Sequence, residues 1–419
     1  MSRAIVVGSG AREHALAWGL RKSVDVIVTP GNDGMSASGL TCVATSPLEL
    51  EADLFVIGPD ALLVEGLASE LRAQGKTVFG PGIDGARLEG SKAYMKEFLR
   101  AANVPTADFG VFTNEEDASR FLSTMKPPYV IKTDGLAAGK GVLVTDDIDE
   151  AFTDVREKLS GAAFGDAGTT VVIEEGLVGV ECSMFVLCDG TRCEPFIPSQ
   201  DFKRVGDFNT GPNTGGMGAL APLSIMDDAM VDRVMTDIIA PTVKELQNRG
   251  IDYRGVLYAG VMLTKDGPKL LEYNVRFGDP ETQVLIPLFD GDLYETLLAT
   301  AKGDLRSAPS FKSEAAVTVV LAAQGYPGAP RGGDVITGLN DDGQLGLSNV
   351  VVFHAGTKRD VDGTFVTGGG RVLNVSARGA TLEEARRRAY EAASLVTFEG
   401  RVMRKDIAQM SERPLKEPG

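Results

Sequence analysis

Residues 130–142 read Val130-Ile131-Lys132-Thr133-Asp134-Gly135-Leu136-Ala137-Ala138-Gly139-Lys140-Gly141-Val142: a strand, a glycine-rich turn holding a lysine, and a second strand. Glycines let backbone N–H groups approach phosphate oxygens, and a lysine adds a point charge. The stretch is not a Walker A loop. Its spacing from Gly135 to Lys140 is wrong, no Ser or Thr follows Lys140, and 141–145 reads as a strand where a Walker loop would open a helix. Two readings compete, a phosphate-binding hairpin and an ordinary glycine-rich one.

Around this hairpin the texture is that of antiparallel sheet. Strand patterns at 129–132, 142–145, 170–174, 180–187 and 193–197 are punctuated by turn signals rather than by a helix each time. Upstream, short apolar runs at 4–7, 24–28, 54–57 and 77–79 alternate with helical patterns and read as buried parallel strands. A helix over 91–102 ends near Asn103 and Pro105, a plausible boundary because the residue before proline is pushed out of helix. Downstream, a long helix is expected at 227–248. It precedes a hairpin of strands 255–263 and 268–275 turning at Lys265-Asp266-Gly267. A last unit starts near Ala315, with strands at 317–322, 350–354 and 372–375 and a helix whose Thr381 and Glu384 have capping-box spacing.

The hairpin's second strand runs into Leu271-Glu272-Tyr273-Asn274-Val275-Arg276-Phe277-Gly278-Asp279-Pro280-Glu281-Thr282-Gln283. On a strand, Glu272, Asn274 and Arg276 fall at period two and share a face. A carboxylate and an amide oxygen suit a hard divalent cation, and a guanidinium fork suits an anion. The competing reading is a solvated face with a surface ion pair.

Between the two motifs lie residues 199–218, with Asp201, Lys203, Arg204, Asn213, Gly215 and Gly216. Glycine and proline this dense predict a long loop without regular structure, and such loops in compact enzymes usually carry function. At the N-terminus, Gly8, Gly10 and Arg12 follow a strand and open a helix, a place for one phosphate. Glu13 stands where a dinucleotide fingerprint wants Gly or Ala, which argues against NAD. His14 and His354 are read as structural, and Gly368-Gly369-Gly370-Arg371 either contacts substrate or turns the chain.

Composition sets the class. A chain of 419 residues predicts two to four packed units, and 58 acidic against 42 basic residues, net −16, disfavour nucleic acid and anionic membranes as partners. Four cysteines without a CxxC pair or zinc-ligand spacing read as reduced thiols. With neither a secretory signal nor a run of spanning length, a cytoplasmic enzyme is the simplest class.

GSGAREHAL, GPGIDGARLEGSKAYMKEFL, IKTDGLAAGKGV, SQDFKRVGDFNTGPNTGGMGA, LEYNVRFGDPETQ and FHAGTK, in this order and over nearly the whole chain, resemble the signature segments of the phosphoribosylamine-glycine ligase (glycinamide ribonucleotide synthetase) family of the ATP-grasp superfamily. Ala11 and Thr133 depart from the expected Gly and Ala, and Phe202, Phe208 and Leu220 from residues more often polar or aromatic. The resemblance implies an α/β and α+β multidomain protein. Its parts would be a Rossmann-like N-terminal domain over 1–102, an ATP-grasp core of two α+β subdomains over 103–312 with a lid at about 120–190, and a small C-terminal α/β domain over 313–419.

It also implies an activity: ATP, glycine and 5-phosphoribosylamine give glycinamide ribonucleotide, ADP and phosphate in purine biosynthesis, through glycyl phosphate. Lys92, Lys132 and Lys140 would meet the ATP phosphates, with Gly135, Gly139 and Gly141 in a loop closing over them. Glu174, Glu175 and Leu177 would sit at the adenine edge and Glu181 on the ribose. Glu272 and Asn274 would hold Mg²⁺ or Mn²⁺. Arg276 would serve the transferred phosphoryl group or the glycine carboxylate, with Lys132 and Lys140 beside it in catalysis. Gly8, Gly10, Arg12, Asp201, Lys203, Asn213, Gly215 and Gly216, with Asp279, Pro280 and Glu281, would line the substrate site. A monomer is the working expectation, and transient hand-off of the labile amine from an upstream enzyme stays open.

Overall fold

The computed structural model describes residues 2–135, 141–161 and 170–409. Five parallel strands open the chain, in the spatial order Thr41–Cys42, Asp25–Pro30, Arg3–Gly8, Leu54–Ile57, Val78–Phe79. Strand order reverses beside Arg3–Gly8, so its C-terminal end faces the crevice where open α/β sheets bind ligands. The central strands are buried on both sides, as the unbroken apolar runs 4–7 and 54–57 require.

Two antiparallel sheets follow. One runs Phe109–Phe112, Val171–Glu175, Tyr129–Thr133, Val142–Thr145 and packs one face on the helices Glu115–Leu122 and Ile148–Leu159. Tyr129, Ile131, Val171 and Ile173 point into that small core, which leaves Lys132 and Glu174 on the opposite face. The other runs Cys193–Pro195, Val180–Asp189, Arg254–Thr264, Gly267–Asn274 and contributes to the central core.

A last antiparallel sheet has the order Gln200–Asp201, Gly218–Ala221, Ala315–Ala322, Arg371–Gly379, Val350–His354, with helix Leu382–Leu395 packed on it. Two of its strands thus come from the stretch between the two chemical motifs. That stretch corrects the expectation of a loop without regular structure, since it also forms the hairpin Arg204–Gly206 and Thr210–Asn213. The pairing tolerates glycine because it is short and broken by a register shift between Arg204 and Gly206, and Gly211 sits at φ +77°. The helix expected at 227–248 carries a π turn at Met235–Ile239 between Asp228–Val234 and Ala240–Asn248, just before Pro241. Thr381 accepts from the Glu384 N–H as a cap, whereas the Glu384 carboxylate takes the N–H of Ala380 instead of closing the box. Among the described residues no helix is long and apolar enough to cross a membrane.

Candidate functional site

Strand alternation sorts the sheet containing Gly267–Asn274 into two faces. Its register lines up Glu181 and Ser183, then Tyr258 and Gly260, then Glu272 and Asn274 on one side. Cys182, Met184, Val186, Ala259, Val261 and Tyr273 go the other way into the core. The polar row faces a cleft that lysines enter from several elements.

Lys92, the first residue of the helix Lys92–Ala102, donates to the Gly135 carbonyl at 2.7 Å, and Asp134 takes the Ala93 N–H and the Ser91 hydroxyl. The entrance to the glycine-rich turn is therefore fastened to a helix N-terminus. Lys132 pairs with Glu174 at 2.8 Å, and Lys96 reaches the other oxygen of the same carboxylate at 2.7 Å. Lys96 also donates to Thr106 Oγ1, which donates on to the Leu270 carbonyl, so a buried polar chain joins Lys132 to the strand bearing Glu272. Burial pulls the Lys96 ammonium down to about 8 against the opposing pull of Glu174. Burial alone would raise Glu272, but Lys203, Lys132 and Lys92 outweigh it and hold the carboxylate below its usual range. Lys203 in turn pairs with Glu181 and stands 3.9 Å from Asp201. Burial, aided by Glu281 and Glu181 and opposed by Lys203, pushes the Asp201 carboxyl up to about 8.

Arg276 lies just beyond the strand. One Nη2 donates to Asn274 Oδ1 at 2.9 Å and lies 2.8 Å from Glu89 Oε1, while Glu89 Oε2 accepts the Val275 N–H. The Nε of Arg276 is buried without a protein partner among the described residues. Asp279, in the following turn, pairs with Arg371 at 2.8 Å, and the same guanidinium donates to the carbonyls of Gly215 and Asp279. Gly216, at φ +108°, lies so close to Pro280 that a Cβ would collide with the proline ring. Glu281 accepts from Tyr258 at 2.7 Å and from Ser183 at 3.3 Å, which ties the turn back to the polar row.

At the first strand's end, the Glu13 carboxylate accepts the Gly10 N–H at 2.7 Å and pairs with Arg12 Nε at 2.6 Å. Side chains at Gly8 or Gly58 would collide with it. The Gly10 N–H is thus taken up within the protein by Glu13. Arg12 also donates to the Phe277 carbonyl at 3.2 Å, and an ideal Cβ on Gly10 would lie 3.8 Å from Asp279 Oδ2, so the N-terminal turn and the Asp279 turn form one wall.

Of the expected residues, the structure brings together Lys92, Lys132, Gly135, Glu181, Asp201, Lys203, Glu272, Asn274 and Arg276 around the cleft, and Gly8, Gly10, Arg12, Gly215, Gly216, Asp279, Pro280 and Glu281 along the wall. Glu174 turns its carboxylate inward to Lys132 and Lys96. Glu175 pairs with Lys269 at 3.0 Å, Leu177 is half-buried, and Asn213 ends the hairpin strand beside Arg204. Gly141 is described, its carbonyl accepting the Thr133 N–H, whereas Gly139 and Lys140, with the rest of 136–140, lie outside the described residues. Lys96 and Glu89 are the residues whose placement sequence reading missed, whereas Arg371, singled out there with its glycines, clamps the Gly215 and Asp279 turns. Of the two missed, Lys96 left a signal, four residues from Lys92 on the same helix face. His14 and His354 are buried against each other, His14 Nδ1 accepting the His354 N–H at 3.0 Å.

A parallel N-terminal sheet, two facing antiparallel sheets with lysines between them, and a polar strand row define an ATP-grasp ligase. Family profiles described as phosphoribosylglycinamide synthetase match throughout: the N domain at 2–89, the ATP-grasp (A) domain at 90–282 and the C domain at 316–410. The chain belongs to this family, the phosphoribosylamine–glycine ligases. It is 47% identical to the phosphoribosylamine–glycine ligase of Caulobacter vibrioides, covering 96% of this chain and 97% of that one. It is 46% identical to that of Escherichia coli K12, covering 97% of each. Among solved structures, the phosphoribosylamine–glycine ligase of Thermotoga maritima superposes with a TM-score of 0.85 at 37% identity, covering 97% of this chain and all of that one. The biotin carboxylase domain of Hydrogenobacter thermophilus 2-oxoglutarate carboxylase shares the fold, at TM-score 0.73 and 18% identity over 96% of this chain and 91% of that one.

Proposed function

We propose that this chain joins glycine to 5-phosphoribosylamine at the expense of ATP, the reaction for which its relatives are named, in the cleft lined by Lys92, Lys132 and Glu272. The observation that carries the reading is Glu272, a half-buried carboxylate kept ionised by three lysines, one from a helix, one from a strand and one from the loop before Arg204. Phosphoryl transfer depends on positioning and charge neutralisation, and these residues supply both.

In this reading the glycine carboxylate attacks the γ-phosphorus, and the ribosylamine nitrogen then attacks the acyl carbon of glycyl phosphate. Lys92 and Lys132 hold the triphosphate. Arg276, its guanidinium oriented by Glu89 and Asn274, directs its free Nε–H at the transferred phosphoryl group or the glycine carboxylate. The wall of Arg12, Gly216 and Asp279 receives the phosphoribosylamine. Glu181, paired with Lys203, is placed for a ribose hydroxyl, and the backbone of 175–177 for the adenine edge.

Glu272 and Asn274 offer hard oxygens on one strand face, a donor set that fits Mg²⁺ or Mn²⁺ when phosphate oxygens complete the shell. When bound, the ion neutralises charge on the phosphates. The division into 1–102, 103–312 and 313–419 belongs to the same reading; the matched profiles begin the C domain at 316, near its last boundary, and the ATP-grasp domain at 90, ahead of its first.

One assay tests it: ADP release followed with each substrate omitted in turn, phosphoribosylamine being made in situ. Release that needs glycine and the amine together is expected. Release driven by bicarbonate would make the chain a carboxylase, and ATP binding without turnover would make it a nucleotide-binding regulator.

A further inference from the structure

The strand Val180–Asp189 turns through Gly190 and Thr191 into Cys193–Pro195, and the register sets Cys188 directly opposite Cys193. Asp189 N donates to Arg192 O at 3.0 Å, and Phe196 N to Phe185 O at 2.8 Å, so these are the hydrogen-bonded pairs of the ladder. Cys188 and Cys193 fall between them as a non-hydrogen-bonded pair, the closer kind, with Cα atoms about 4.5 Å apart. That lies inside the range a disulfide spans, about 4.4 to 6.8 Å.

The turn is held rigidly. Asp189 Oδ1 accepts the N–H groups of Thr191 at 2.9 Å and Arg192 at 2.7 Å, its Oδ2 accepts from Leu305 N at 3.0 Å, and Arg192 donates to the Arg306 carbonyl at 2.9 Å. The two thiols are therefore fixed opposite each other before any bond forms. Cys193 is half-buried at the surface, whereas Cys188 is 1% exposed. Burial, then the neighbouring Cys193 thiol, pushes the Cys188 thiol well above its usual range.

We propose that Cys188 and Cys193 form a thiol–disulfide couple that exchanges with low-molecular-weight disulfides. The Cys193 thiolate attacks one sulfur of RSSR and expels RS⁻, leaving a mixed disulfide on Cys193. The Cys188 thiolate then attacks the Cys193 sulfur and expels the second RS⁻. Two electrons pass from the protein to RSSR, and the two thiol protons end on two RSH. Cys188 lies on the core-facing side of its strand, opposite to Glu181 and Ser183, so the cross-link leaves the polar row in register.

The folded full-length protein is incubated with oxidised glutathione, alkylated without reductant, and digested with trypsin and chymotrypsin. Cleavage after Arg192 separates Cys193 from Cys188, and cleavage after Phe185 separates Cys188 from Cys182, so a Cys188–Cys193 disulfide leaves just those two peptides joined. Joined peptides that come apart on adding dithiothreitol are expected. In Cys188→Ser the glutathione should instead remain on Cys193, while Cys193→Ser should leave Cys188 unmodified. Persistent glutathione on Cys193 of the unmutated protein would overturn the proposal. So would two alkylated cysteines in the folded protein when the urea-unfolded protein is oxidised by the same treatment. The unmutated arm decides the question by itself if a variant fails to fold.

Discussion

Glu272 keeps its charge in a cleft because three ammonium groups face it, and Asn274 follows two residues later on the same side of the strand. If these oxygens hold the divalent ion, Glu272→Ala should raise the Mg²⁺ concentration for half-maximal rate at least about 10-fold, since even outer-shell groups shift metal affinity that much. Asn274→Ala should act in the same direction. Rate measured against Mg²⁺ checks this, and unchanged midpoints in both variants would remove the assignment. Arg276 poses a question of geometry rather than charge. Its planar fork is gripped by Glu89 and Asn274, and lysine cannot keep that grip while still presenting a donor to substrate. Arg276→Lys should lower kcat by roughly 10²-fold, the scale for losing one preorganised donor, with little change in the KM for ATP. A variant with normal kcat and weakened ATP binding would return the arginine to ground-state nucleotide binding.

Elements meet at the site through buried polar contacts, which makes those contacts sensitive. Lys96 joins the helix Lys92–Ala102 to the strand Val171–Glu175 through Glu174, both side chains being almost fully buried. Lys96→Met would leave half of that carboxylate's pairing unmet. A stability loss of about 3 to 5 kcal/mol is expected from breaking a buried pair, read from urea unfolding followed by far-UV circular dichroism. An unfolding midpoint like that of the unmutated protein would show that Lys132 alone suffices. Gly216 belongs to the loop that Arg371 clamps against Asp279. A Cβ there collides with Pro280 and would be strained at φ +108° as well, so Gly216→Ala should displace the wall. The expected result is a KM for phosphoribosylamine raised more than that for ATP. Equal effects would place the amine elsewhere.

Across the whole molecule, the N-terminal and C-terminal units are joined by two imidazoles. His14 Nδ1 accepts the His354 N–H, Asn32 donates to the His354 and Ala355 carbonyls, and Phe353 packs on Ala11 and Ala15. Burial lowers both rings, His354 from 6.5 to about 4. Between those values the unfolded chain binds protons that the folded chain refuses, so stability falls as pH drops through that window. Protonating His14 Nδ1 would also turn the acceptor of the His354 N–H into a donor. The contribution of His354 comes to about 3 kcal/mol at about 1.4 kcal/mol per pH unit. Urea midpoints taken from pH 7 down to pH 4.5 should fall more steeply for the unmutated protein than for His354→Gln. Parallel curves would refute the linkage.

Local pattern alone determined the parallel strands at 4–7 and 54–57, the hairpin ending at Glu272 and Asn274, and the lysine-bearing strand at 129–132, because periodicity and turn residues are short-range signals. Glycine and proline density concealed the short strands between 200 and 221, since their pairing is decided by distant partners such as Ala315–Ala322 and not by their own period. Period two put Glu272 and Asn274 on one face, but only the packing of three elements decided that lysines would meet them there. The same packing turned Glu174 inward and took up the Gly10 N–H with Glu13, because a buried charge or donor must find a partner wherever the fold supplies one. Chemistry was legible in residue types and spacing. How those groups are oriented to perform it was settled by tertiary contacts, since buried polar groups must find partners and the fold decides which.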